Sequence, residues 1–442
     1  MNSKKNKFLL LDNRLIDIQN NTKLVVGTAH KHDANPLFTE DKPWEKRYDN
    51  FYGNMIYNNN ECIYQCWYSP FIIDHSAKGM TLADRNKTYD PPKNREMGIC
   101  YAYSKDGIDW IKPALGIVQF QGSKNNNIIW RGPHGAGVFS DSNAISQESK
   151  FKIIFQGMSV SMSFNGLDWP REKKIKGVDV EGDTHNNAFW APTLGKYVCI
   201  TRSWYKKRNK KVLRQVARLE SEDFFNWTKE EVVLQGDDAN DQIYAMPVFY
   251  FAGIYIGLPV IYSTESDRTW TELAWSTDTK NWNRISPGTA LIPTSNKLLD
   301  YDFGCVYPCA TPIFLSNEIR LYYGGSDYLH FGWRNGSLCL ATLRPDGFAG
   351  YEQIKKESTG KIRTTLMPFG FRDILISVDV FENGWLAVTI FDKNGEYIIT
   401  SEKIIKTITD GSLCFQKNIN LDLIQLEFEF DRAKLYSFTF SN

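Results

Sequence analysis

Four stretches of this chain repeat one another. Ser104-Lys105-Asp106-Gly107-Ile108-Asp109-Trp110, Ser163-Phe164-Asn165-Gly166-Leu167-Asp168-Trp169, Ser221-Glu222-Asp223-Phe224-Phe225-Asn226-Trp227 and Ser276-Thr277-Asp278-Thr279-Lys280-Asn281-Trp282 all read Ser-x-Asp/Asn-x-x-Asp/Asn-Trp. Their serines recur at roughly 55 to 60 residues, a period that belongs to blades or arrays of one supersecondary unit. Each box reads as the hairpin between the outer strands of a four-stranded blade. The Asp or Asn two places after Ser bonds neighbouring backbone amides, and in two boxes Gly follows it, where positive φ is cheap. The Trp then opens the next strand and offers a large apolar surface to the adjoining blade.

At 442 residues the chain exceeds one compact core, so one large radial domain with an appendage is expected. Strands are short, bounded by Gly, Pro, Asn and Asp, and rarely interrupted by helical periodicity. Blades are expected to begin at Tyr52–Tyr57, Gly135–Phe139, Asn187–Trp190, Ile243–Phe249 and Phe303–Tyr307. The last contains Ile319–Ser326 without a Trp box, and a strand from Phe8–Val26 is a candidate to close the ring. The stretch from about Asp74 to Arg95 reads as a loop. Beyond Gly350 the texture changes to alternating strands such as Ile374–Val380, Trp385–Phe391 and Leu435–Phe440. The expected architecture is therefore all-β, a five-bladed β-propeller over residues 1–354 followed by a small antiparallel β-sandwich over residues 355–442 as an accessory domain.

Charge is nearly balanced, with 52 basic against 51 acidic residues, which argues against a nucleic-acid or membrane-surface partner. Aromatics make up 14% of the chain and suit both blade packing and stacking on sugar rings. The apolar run Phe8–Leu11 is too short for a signal-peptide core and no 18-residue apolar stretch occurs, so a cytoplasmic location is expected, a trimmed leader aside. Of eight cysteines, Cys62/Cys66 and Cys305/Cys309 are four apart in strand-like sequence, which favours buried free thiols over disulfides or a metal site.

A propeller brings the starts of its innermost strands to one mouth, so polar residues there converge from distant positions. Asp49, His134, Asp183 with His185, Asp241 with Gln242, and Asp302 all stand just before or within a predicted inner strand. No Walker loop, dinucleotide fingerprint, nucleophile elbow or His-Glu-x-x-His helix is present.

Lys31–Phe38, Lys42-Pro43-Trp44-Glu45, Asp49–Tyr57, and Asp183–Trp190 leading to Tyr197–Arg202 resemble the five-bladed β-propeller glycosidases of glycoside hydrolase family 32, related in fold to families 43 and 68. The resemblance implies catalytic carboxylates at Asp49, as nucleophile or base, and at Asp183, as transition-state stabiliser. The chain departs from that family on the fourth blade, where Ala245 in Tyr244-Ala245-Met246-Pro247 stands in place of the Glu of a Glu-Cys-Pro acid/base motif. Glycosidic cleavage needs a proton for the leaving oxygen as well as an anion near the sugar ring. Glu272 is the first candidate donor, with Glu96 and Glu181 next. His134, His185, Asn186, Arg202, Tyr244, Asp302, His330, Trp333 and Arg334 form the expected substrate-binding set, with Trp333 as a stacking platform and Arg334 as an anion clamp. The expected activity is hydrolysis of a terminal sugar, furanosides included, from an oligo- or polysaccharide. A non-catalytic carbohydrate-binding propeller is one alternative. A glycoside phosphorylase is another, needing a basic phosphate pocket for which Arg202, Arg334 and His330 are candidates. No cofactor is expected; a central divalent metal such as calcium stays open, as does a homo-oligomer.

Overall fold

Each Ser box closes its hairpin with the same bonds. Ser104 Oγ accepts from Gly107 N at 2.8 Å, and Asp106 Oδ1 accepts from the amides of Ile108 and Asp109 at 2.8 and 2.9 Å. The set recurs around Ser163 and Asn165, Ser221 and Asp223, and Ser276 and Asp278, with every distance between 2.7 and 3.0 Å. The third residue after Ser is left-handed throughout: Gly107 at φ 80°, Gly166 at 74°, Phe224 at 69° and Thr279 at 64°. Phe and β-branched Thr adopt that conformation only under constraint.

The constraint is docking onto the preceding sheet. Gly107 O accepts from Tyr322 Oη at 2.9 Å, Gly166 O from Trp67 Nε1 at 2.6 Å, and Thr279 Oγ1 from Arg218 Nε at 2.7 Å. Phe224 is fully buried against Phe139, with ring centroids 5.7 Å apart. In the last two boxes the Trp indole turns back to donate to the left-handed residue, Trp227 to Phe224 O and Trp282 to Thr279 O.

The computed structural model describes residues 5–170, 172–207, 210–370, 373–416 and 421–441. Four sheets of blade form follow one another along the chain. A six-stranded sheet is built around Asn54–Asn58, Ile63–Tyr68 and Glu96–Ser104, and a four-stranded one runs from Gly137–Ser140 to Lys173–Lys174. A third sheet runs from Asn187–Ala191 to Glu231–Gln235, and a fourth combines Val248–Phe251, Ile254–Gly257, Leu273–Ser276 and Asn283–Ile285. A nine-stranded sheet holds Cys305–Pro308, Ile319–Ser326 and Gly336–Leu343, and extends to Asp241–Ala245, Val260–Ser263 and Arg268–Thr271 through one parallel pair, Thr269 with Cys305. Because box one of the first sheet docks on Tyr322 of this last sheet, the arrangement is a propeller-like ring.

The N-terminal segment departs from expectation. Lys5–Leu9, Ile16–Asn20 and Thr22–Val26 pair not with the ring but with C-terminal strands, where Lys5–Leu9 meets Ser437–Ser441 in register. The strands added to the end of the ring are instead His30–Lys31 and Phe38–Thr39, on Gly336–Leu343. The C-terminal region is a ten-stranded sheet around two 19-residue strands, Asp373–Phe391 and Leu423–Ser441. Ile374–Val380 and Trp385–Phe391, which read as separate strands, are one strand with an irregularity between Val380 and Trp385. All eight cysteines are free thiols, Cys66, Cys305 and Cys309 among the buried ones and Cys62 exposed. Among the described residues no helix is long and apolar enough to cross a membrane.

Phe224 holds a strained backbone because its ring fills a void between sheets. Phe224→Ala is expected to lower the unfolding free energy by roughly 3–5 kcal/mol, read from urea denaturation. A loss under about 1 kcal/mol, the scale of ordinary point mutants, would show that the ring is not wedged there.

Candidate active site

The segment before the first inner strand carries the tightest backbone of the ring's mouth. Asp49, Phe51 and Tyr52 have φ of 55°, 63° and 45°. Such residues each cost of order 1–3 kcal/mol and persist only where their surroundings over-determine them. Here Phe51 stacks on Tyr68 with centroids 5.2 Å apart and planes 7° from parallel, and Tyr48 Oη donates to Thr39 O at 2.8 Å. Asn50 Nδ2 donates to Tyr52 Oη at 2.7 Å and to Tyr244 Oη at 2.9 Å, tying this segment to the far side of the mouth.

Those groups border a pit of about 530 Å³. Asp49 and Asp183 both line it, as do His134, Arg202, Tyr244, His330 and Arg334. Convergence follows from the ring: Asp49 precedes Asn54–Asn58, His134 precedes Gly137–Ser140, Asp183 precedes Asn187–Ala191, and Tyr244 lies in Asp241–Ala245.

Asp49 is clamped. Its Oδ1 accepts from Arg334 Nη2 at 2.7 Å and from Arg47 Nη2 at 3.0 Å. Burial by itself would raise its pKa, but the charges of Arg334 and then Arg47 outweigh burial and hold it well below the usual carboxylate range. Asp49 is therefore an anion at neutral pH and has no proton to give. Asp183 sits exposed at the rim, where Gln156 Nε2 donates to it at 3.4 Å. It lines the same pit as Tyr52, His134 and Arg202.

Aromatic faces fix the cations. Arg202 donates through Nη2 and Nε to Tyr244 O at 2.8 and 3.2 Å, and its guanidinium lies 4.2 Å from the Tyr244 ring centroid. Arg214 lies 4.8 Å from Trp204 and 5.0 Å from Tyr262. Both arginines ride on a long hairpin, Lys196–Lys207 with Lys210–Ser221, whose register sets Trp204 opposite Arg214. His330 packs between Tyr244 and Tyr262, and burial, then the charge of Arg334, pushes its pKa down. His134 lies against Tyr52 and Phe71, and burial lowers it as well, opposed by Asp49 and Asp183.

Other expected site residues lie elsewhere. Glu272, fully buried, accepts from Arg284 Nη2 at 2.8 Å, Trp270 Nε1 at 3.1 Å and Gly288 N at 2.9 Å, so its oxygens are engaged away from the pit. Glu96 pairs with Arg131, and Glu181 is not among the pit-lining residues. Asp302 is buried with Lys31 at 2.6 Å and Tyr323 Oη at 2.8 Å, where it ties His30–Lys31 to Ile319–Ser326 within the nine-stranded sheet. His185 Nε2 meets Asn54 Oδ1 at 3.1 Å, and burial lowers its pKa to about 3. Asn186 brackets the carbonyls of Gly135 and Gly182. Trp333 packs on Tyr89, centroids 5.0 Å apart, behind the pit wall.

Several lining residues escaped the sequence reading: Arg47, Tyr52, Trp204, Arg214 and, from the Asp74–Arg95 insertion, Tyr89 and Arg95. Strand alternation offered one clue, since Trp204 is two residues from Arg202 on the same strand face. The insertion gave none, because its place depends on distant bonds: Arg85 Nη1 to Asp327 Oδ1 at 2.8 Å and Tyr328 Oη to Asn86 Oδ1 at 2.6 Å. Among the described residues no group of three or more His, Cys, Asp or Glu is placed to hold a metal ion.

No sequence-family profile matches the chain. No curated protein matches it either. Solved structures do share its fold. One described as a glycoside hydrolase is 12% identical, with 72% of this chain and 92% of that protein covered and a TM-score of 0.50. A complex described as BT0996 with RGII is 14% identical over 73% of this chain and 93% of that protein, with a TM-score of 0.51. A fructofuranosidase from Schwanniomyces occidentalis complexed with fructosylnystose is 8% identical over 94% of this chain and 97% of that protein, at 0.45. The propeller-like ring is thus of a kind found in glycoside hydrolase structures.

The clamp on Asp49 makes a pH-dependent prediction. A carboxylate whose folded pKa is depressed adds stability above its unfolded pKa of about 4, and that stability is lost as pH falls through the folded value. Asp49→Asn is expected to destabilise by about 3 kcal/mol at pH 7, the low end for breaking a buried pair, because it strands Arg334. Thermal unfolding of both proteins across pH should show the gap closing below about pH 4. A gap that is constant from pH 7 into acid would place the cause elsewhere.

Proposed function

We propose that this chain is a glycoside hydrolase that seats a terminal sugar in the pit and cleaves its glycosidic bond there. The observation that carries the reading is that Asp49 and Asp183, remote in sequence, line one hollow walled by Tyr52, Tyr244 and Trp204. Two carboxyl groups in unlike surroundings are what glycosidic cleavage requires. Asp49, kept anionic, stabilises the positive charge that builds on the sugar ring. Asp183, the second carboxyl group lining the pit, gives the proton to the departing oxygen. The donor role expected of Glu272 passes to it, since Glu272 is committed to Arg284. His134 and His330, kept neutral by burial, serve as hydrogen-bonding groups for hydroxyls.

In this reading the ring has five blades. The segments 241–251, 254–263 and 268–276 are each broken once, so their outer parts make the four-stranded sheet and their inner parts join the nine-stranded one. Rejoined, they form a fourth blade, and Cys305–Pro308 to Gly336–Leu343 with His30–Lys31 and Phe38–Thr39 form a fifth. The ten-stranded sheet, built from both chain ends, is the accessory body.

A panel of aryl pyranosides and furanosides is expected to reveal one that is cleaved. Asp183→Asn should lower kcat for it by roughly a hundredfold or more, the scale of a lost general acid, while sugar binding by calorimetry persists. Unchanged turnover would remove Asp183 from the chemistry. Sugar binding with no cleavage by the wild type would make the chain a binding propeller instead.

A further inference from the structure

The pit is far more basic than a neutral sugar requires. Five guanidiniums, those of Arg47, Arg95, Arg202, Arg214 and Arg334, line it against the two carboxylates Asp49 and Asp183. Arg47, Arg202 and Arg334 are 6%, 4% and 2% exposed. Taking such cations out of water is costly unless partners meet them.

Elsewhere this fold does meet them. Arg218, equally buried, engages all three guanidinium nitrogens: Nε with Thr279 Oγ1 at 2.7 Å, and Nη1 and Nη2 with Glu231 and Glu220 at 2.8 Å each. The pit arginines differ. Arg47 uses Nη2 on Asp49, while its buried Nε and Nη1 find no hydrogen-bond partner among the described residues. Arg334 Nε and Arg214 Nε likewise lack a hydrogen bond, while Arg334 Nη2 also reaches Asn50 Oδ1 and Arg214 Nη1 reaches Gln242 Oε1, each at 3.0 Å; His134 Nδ1 has no hydrogen bond, and His330 Nδ1 lies 3.9 Å from Asp267 Oδ1. Donors are thus held in place, with aromatic faces fixing Arg202, Arg214 and Arg47 at 4.2, 4.8 and 4.1 Å from ring centroids. Fixed guanidinium forks are matched to carboxylate and phosphate oxygens rather than to hydroxyls.

We propose that the pit binds an oxyanion, presented either as an acidic group on the sugar itself or as inorganic phosphate beside it, on Arg47, Arg214 and Arg334. The identification deepens the glycosidase reading and rests on it for the sugar. If the ligand is phosphate, a phosphate oxygen bonds the anomeric carbon as the glycosidic C–O bond breaks, the proton from Asp183 goes to the leaving oxygen, and a glycosyl phosphate is released. If the acid is sugar-borne, the same cations orient a uronate, and a water oxygen bonds the anomeric carbon in place of phosphate, its surplus proton passing to solvent.

Calorimetric titration of the full chain with inorganic phosphate, galacturonate and galactose, at low ionic strength, tests this. At least one anion is expected to bind saturably and more tightly than galactose, and to weaken with added salt. Arg214→Gln and Arg47→Gln should each weaken that anion about tenfold or more, the loss of one charge-assisted hydrogen bond, with circular dichroism reporting that each variant is folded. Glycosyl phosphate formed from a cleaved aryl glycoside assigns the oxyanion to phosphate and makes the chain a phosphorylase rather than a hydrolase; preference for galacturonate, with phosphate inert, assigns it to the sugar and keeps the hydrolase reading. Anions that bind no better than galactose, or bind the wild type and both variants alike, overturn the proposal. Cleavage of neutral glycosides without anion binding would defeat this inference alone, and anion binding without any cleavage would defeat the hydrolase reading alone.

Discussion

A single left-handed residue in each hairpin box is what the ring depends on. That residue turns its carbonyl or side chain into the preceding sheet, where a tyrosine, a tryptophan, an arginine or a packed aromatic receives it. Gly serves where only backbone must approach: at Gly107 and Gly166 an added Cβ would lie 2.3 Å from Tyr322 Oη and 2.7 Å from the Trp67 ring. Phe224 and Thr279 serve where the side chain is itself the contact. Four successive dockings pass the same geometry from sheet to sheet, and box one meets the last sheet. Closure covers the faces that the first and last sheets of an open stack would expose and leaves only short sheet edges.

Closure in turn sets what the mouth contains. Inner strands must start close to the axis, so the residues before them crowd together and the chain has little freedom there. The left-handed run at Asp49, Phe51 and Tyr52 is that crowding made visible. It is maintained by the stack of Phe51 on Tyr68 and by Asn50 reaching Tyr244 across the pit. Strain of this kind, held by rigid neighbours, is the ordinary means of fixing a side chain where unconstrained backbone would not put it.

The fold was largely legible because its signal is local. A Ser, an Asx and a Trp at fixed offsets reported the hairpins, and the polar residues before inner strands located Asp49, His134 and Asp183. Charge at a strand start was a weaker guide. Asp302 stands in the same pattern yet serves Lys31 and Tyr323, and Glu272 alternates out of a strand only to meet Arg284. Neither partner is predictable from spacing, since both pairings depend on how the strands are laid side by side. The same holds for the insertion that brings Tyr89 and Arg95 to the wall, and for the N-terminal strands. Lys5–Leu9 reads Lys-Asn-Lys-Phe-Leu, and nothing local in it says that its edge will be taken by Ser437–Ser441.

The two carboxyl groups of the pit are separated by environment more than by chemistry. Asp49 receives two guanidinium donors on one oxygen, so its proton is lost well below neutral pH and its charge is pinned in direction. Asp183 is exposed at the rim and accepts only from the Gln156 amide at 3.4 Å among the bonds of the described residues. An enzyme that must hold a negative charge under a sugar ring and also pass a proton to the leaving oxygen needs that asymmetry. The arginines that create it also line the pit, and Asp49 engages only Nη2 of each. The clamp and the proposed anion site consequently share Arg47 and Arg334, and Arg214 belongs to the second alone.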